Sequence, residues 1–309
     1  MFFNINEFEK EGKIEKKNVS FLMNIEEEKI VIIDESIISI YNDSYLLYNE
    51  IDLKKIKNSK VEIKSLYQMK NKNLICATKE GDIFIFEIKK KEYKIVEKPK
   101  INGEIYKIGE FNENNICLLS KNYFEIRDNT FMNIKFINEN KKNFFNFCLF
   151  SKMGIALINY DCIRLFQFGN NNNQIYNFND IKLTQNISFN TFIGTDQYLI
   201  VGGYEQILFY NINKNYEIEF KKLNNLGNVT FISKINDQLL LASTSDGYIL
   251  QITIQDNGVI KIENKFIDKI KISSILMVNY QTILISSNNQ IDILSISREK
   301  DKSNNCLMF

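Results

Sequence analysis

The chain has 309 residues, 44% apolar and 25% charged, which is enough for a large buried core and too apolar for a disordered polymer. Basic residues (39) nearly cancel acidic ones (38), so a net charge of +1 gives no general affinity for nucleic acid or an acidic membrane. Histidine is absent, which excludes Ser-His-Asp and Cys-His pairs, H-E-x-x-H zinc sites and any imidazole base.

The N-terminus turns polar after Met1-Phe2-Phe3, so no secretory signal is read, and a cytoplasmic protein is expected. Residues 2–8, Phe2 to Phe8, read as an isolated extended segment. From Val19 onward one pattern repeats. A strand opening at Val19 leads to the apolar tetrad Ile30-Val31-Ile32-Ile33, then to Ile38-Ser39-Ile40-Tyr41, then to a more polar segment, Tyr45-Leu46-Leu47-Tyr48. The tetrad recurs as Leu74 to Ala77, Ile116 to Leu119, Ile155 to Ile158, Leu199 to Gly202, Leu239 to Ala242 and Ile283 to Ser286. Short runs of this kind, bounded by turn residues, suit strands buried on both faces.

The strand after each tetrad ends at Tyr41, Phe86, Arg127, Phe166, Tyr210, Ile252 and Leu294, positions spaced 45, 41, 39, 44, 42 and 42 apart. The strand before it opens at Val19, Ile63, Ile105, Phe144, Ile187, Val229 and Ile272, always 22 or 23 residues earlier than those ends. A polar fourth segment follows in six units, as in Tyr216 to Phe220. A period near 40–45 residues with four strands per unit predicts an all-β, seven-bladed β-propeller of four antiparallel strands per blade. Blades are expected near 19–58, 59–101, 102–141, 142–183, 184–225, 226–267 and 268–297, one domain over 1–297 with a flexible tail at 298–309. The seventh unit lacks an outer strand because the chain turns charged after Ile296, so residues 2–8 are expected to complete it and close the ring.

Over nearly its whole length the chain resembles the WD-repeat family. The best matches are Leu74 to Glu87, with Glu80-Gly81-Asp82 at the turn, and Leu241 to Ile249, with Ser245-Asp246-Gly247 at the turn. Both resemble the family's small-residue strand, its acidic-glycine turn and the strand that follows. The family's tryptophan position is filled by the seven strand-ending residues above, and its histidine is missing throughout, so the hydrogen-bond network built on that histidine cannot form. The resemblance implies a non-catalytic protein-interaction scaffold.

The sequence contains no Gly-x-Gly-x-x-Gly or Gly-x-x-x-x-Gly-Lys loop to hold phosphates. No catalytic, cofactor-binding or metal-binding residue is therefore assigned, and no small-molecule substrate or nucleic acid is expected; other proteins are the expected partners. A carboxylate-based hydrolytic propeller is the catalytic alternative, but its candidates Asp82, Asp161 and Asp246 read as turn formers. Lysines 89, 90, 91, 94, 98 and 100 read as protection of an outer edge strand. Cys76, Cys117, Cys148 and Cys162 lie in apolar runs and read as buried thiols. Cys306 differs: Cys306-Leu307-Met308-Phe309 fits a prenylation box, making Cys306 a lipidation candidate and reversible membrane attachment an alternative function.

Overall fold

The computed structural model describes residues 7–297, apart from 17–18, 26–28, 43, 58, 60, 90–91, 99, 113–114, 151–153, 169–174, 184–190, 215, 268–270, 280 and 288–289. Cys306 and its box lie outside the described residues. The chain forms seven four-stranded antiparallel sheets. Blade 1 runs Val19–Ile25, Lys29–Asp34, Ile37–Tyr41 and Leu47–Asp52 from the inner to the outer strand. Inner strands of blades 2 to 7 are Ile63–Gln68, Ile105–Asn112, Asn146–Phe150, Thr191–Gly194, Val229–Lys234 and Ser274–Asn279. Every predicted tetrad falls in a second strand. Those of blades 2, 4, 5, 6 and 7 are buried at every position, as two-faced packing requires.

The core is divided among the blade interfaces. Seven apolar clusters occur, one between each pair of neighbouring blades. Alternation along a strand splits its side chains between two of them: Val31 and Ile33 face blade 2, while Ile30 and Ile32 face blade 7. The strand-ending residues Tyr41, Phe86, Phe166, Tyr210, Ile252 and Leu294 are buried in these clusters. Arg127 instead is half-buried, and its guanidinium binds Glu125 at 2.6 Å and the Phe131 carbonyl at 3.1 Å.

The turns between second and third strands share one device. Thr78 Oγ1, Ser120 Oγ, Asn159 Oδ1 and Thr244 Oγ1 accept the backbone N–H of Asp82, Tyr123, Cys162 and Tyr248 at 3.1, 3.0, 2.7 and 3.1 Å. A short acceptor side chain thus satisfies a donor that the tight turn would otherwise orphan. At the first of these turns Gly81 has φ +88°, and a Cβ there would sit 2.2 Å from the Ile101 carbonyl oxygen, so only glycine fits.

Closure differs from the expected segment. The strand completing blade 7 is Glu7–Glu15, antiparallel to Gln290–Ser297; it includes Glu7 and Phe8 of the expected segment and runs on to Glu15, while residues 2–6 lie outside the described residues. Register shifts between Lys10 and Gly12, so Phe8 packs toward blade 6 and Ile14 toward blade 1 on either side of the bulge. The first outer strand likewise begins at Leu47, because Tyr45 adopts φ 59° in the preceding turn. No described helix is long and apolar enough to cross a membrane.

Candidate functional site in the central channel

Inner strands pack side by side around an axis, and polar side chains stitch several of them to the next blade. Asn24 Nδ2 donates to the Met277 carbonyl at 2.7 Å, joining blades 1 and 7. Ser65 Oγ accepts the Ile108 N–H at 3.1 Å, and Thr191 Oγ1 accepts the Ile232 N–H at 3.2 Å. Thr230 Oγ1 donates to the Ile272 carbonyl at 2.6 Å. Between blades 4 and 5 the approach is closer still: a Cβ on Gly194 would lie 2.2 Å from the Leu149 carbonyl oxygen.

A cavity of about 480 Å³ opens along this wall, lined by the inner strands of blades 2 to 6. Its size lies within the range of small-ligand pockets. Tyr67, Tyr106, Phe147 and Phe231 supply aromatic surface, and no carboxylate is among the described residues that line it. Lys107 projects from blade 3 and donates to Asn146 Oδ1 at 2.8 Å and the Phe147 carbonyl at 2.6 Å, with its ammonium 5.2 Å from the Phe147 ring centre. Burial lowers the Lys107 pKa below the ordinary lysine value, outweighing the opposing effect of the nearby Cys148. The Cys148 thiol is pushed up to about 12 by its own burial, so it stays protonated and is a poor nucleophile. Burial thus displaces both groups toward their neutral forms. Sequence reasoning missed this site, because the positions facing the channel break the apolar alternation without sharing a motif.

The sequence-derived candidates do not converge. Asp82 is buried and pairs with Lys57 at 3.3 Å and Lys100 at 4.0 Å. Asp161 is exposed on a blade 4 turn, its own N–H bound by Asn159. Asp246 accepts the Ser245 hydroxyl at 2.7 Å. Each serves its own turn in a different blade. In the lysine group, 90 and 91 lie outside the described residues, and Lys98 is on the outer strand Glu92–Lys98 as expected. Cys76, Cys117, Cys148 and Cys162 are buried free thiols, as expected.

Two further surfaces stand out. Blades 5 and 6 form a polar groove on one rim, built from the Gln197, Asn213, Glu217 and Asp256 turns. On the opposite rim, the turns between second and third strands of blades 4 and 5 present Tyr160 and Tyr204, each 60% exposed.

No family model matches the chain, and no curated protein matches it in sequence. Solved structures do. The β-propeller domain of Cps50 (Swd1) from Myceliophteria thermophila superposes with a TM-score of 0.70 at 10% identity, covering 94% of this chain and 100% of that one. The likeness is one of fold. Virginiamycin B lyase from Staphylococcus aureus gives 0.68 at 15% identity over 94% and 100% of the two chains. A streptogramin B lyase gives 0.70 at 14% identity over 94% and 98%. One propeller thus carries different activities, and the site must decide between them.

Proposed function

We propose that this propeller is a non-catalytic protein-interaction scaffold of the WD-repeat kind, acting in the cytoplasm and binding partner proteins through the rim that carries Tyr160 and Tyr204. The observation that carries this reading is the exposure of two tyrosines at equivalent turns of neighbouring blades on a frame fixed by apolar interfaces. Tyrosine offers large contact area at low entropic cost and is enriched where binding energy concentrates. The ring of Phe145 lies 4.9 Å from that of Tyr160 and extends its apolar surface.

Affinity purification from the native host tests the reading, using the native chain beside the double variant Tyr160→Ala/Tyr204→Ala. A stoichiometric protein partner is expected with the native chain. The double variant should weaken its binding by at least about 30-fold, the equivalent of ~2 kcal/mol. A native chain that retains no stoichiometric protein overturns the scaffold reading. Undiminished binding by the double variant overturns the choice of rim.

A further inference from the structure

The central cavity contains a cation with neutral company. Lys107 Nζ meets an amide oxygen and a backbone carbonyl, and it forms no ion pair among the described residues. Its neighbour on the channel wall, Lys64, is different, being paired with Glu62 at 2.6 Å. Glu110, on the same inner strand as Lys107, is buried and accepts the Lys70 N–H at 2.7 Å. An ammonium has three donors, and two of those on Lys107 are used, leaving one for a ligand. Enclosing a charge without a counter-ion is costly, and an anion entering the cavity would offset that cost.

We propose that the channel cavity is a binding site for a small organic carboxylate with an aromatic or aliphatic body, and that Lys107 is its counter-ion. The walls fit the body: Phe147 and Phe231 give apolar faces. Tyr67 and Tyr106 bring hydroxyl groups to the same lining, and a phenol can donate to the second carboxylate oxygen or to a polar substituent. With Lys64 already paired, the one remaining cation matches a monoanion better than a phosphate group, which carries nearly two charges at neutral pH. The carboxylate is a bound ligand, and no bond to it is made or broken. This inference stands apart from the scaffold reading, since the cavity lies inside the ring and the tyrosine rim outside it.

The test is direct binding of 1-naphthoate and its uncharged counterpart 1-naphthamide to the full chain, measured by calorimetry. The native protein is expected to bind one naphthoate at least about tenfold more tightly than naphthamide, the difference one charge-assisted hydrogen bond makes. In Lys107→Met that preference should vanish. Lys107→Gln keeps a donor toward Asn146 while removing the charge, so it should fold even if the methionine variant does not, and it should lose the preference equally. Absence of saturable naphthoate binding up to about 1 mM, the range of a weak ligand, overturns the proposal. So does equal binding of the two compounds to the native chain, or a preference that persists in Lys107→Gln.

Discussion

Gly194 and Lys107 show how single residues set the geometry of the channel. At Gly194 any side chain meets the Leu149 carbonyl oxygen, so the inner strands of blades 4 and 5 must separate to admit even a methyl group. Gly194→Ala is expected to destabilise the protein by about 2 kcal/mol, within the range for overpacking, as a lower midpoint in urea unfolding. Lys107 predicts a pH effect of definite sign. Its folded pKa lies below the ordinary lysine value, so between the two the unfolded chain binds more protons and stability rises with pH. The channel groups beside it, Cys148, Tyr67 and Tyr106, all have raised pKa values and stay neutral over neutral to mildly alkaline pH. Unfolding free energies measured as the pH rises toward the ordinary lysine value of about 10 should therefore climb more steeply in the native chain than in Lys107→Met; equal slopes would contradict the assignment. Neither residue stood out in the sequence. Lysine outnumbers arginine 36 to 3 (39 basic residues less Arg127, Arg164 and Arg298), so no single lysine draws notice. A glycine's close contact depends on a strand distant in the chain.

Strands were far more legible than side-chain sites. The second strands declared themselves because burial on both faces leaves no room for polar residues, and Leu74–Thr78 has none beyond its terminal threonine. Outer strands were harder, since their exposed edges carry charge and read like loops. That is why the closing strand, expected to end at residue 8, runs on to Glu15. Glu9, Lys10, Glu11, Lys13 and Glu15 suggest solvent, yet they are the exposed positions of the strand Glu7–Glu15, and Lys10 reaches Asp292 at 2.5 Å. Phe8 is the apolar anchor of this strand, packed on the cluster that holds Leu294 and Ile296. Phe8→Ala is expected to cost about 2 kcal/mol, less than a fully buried phenylalanine because the side chain is only half-buried. An unchanged thermal midpoint would show that the strand does not hold the ring shut.

Across the whole molecule, period and fold agree because each blade hides its faces only against its neighbours. Stability is then a sum over seven similar interfaces, and an open ring would expose two of them. This repetition made the architecture readable without histidine or tryptophan. Function left no such trace, since it resides in particular residues on a shared frame, and the frame is common to a Swd1 domain and to lyases. Closure by the first strand is the central claim, and Glu9 lies directly opposite Ser295 in that pairing. Opposed residues on antiparallel strands sit within disulfide reach. In the double variant Glu9→Cys/Ser295→Cys, oxidation followed by peptide mass spectrometry should reveal a 9–295 crosslink within one chain and a stability gain of about 2–4 kcal/mol. Crosslinks found only between chains, or none joining these two positions, would contradict a ring closed in this register.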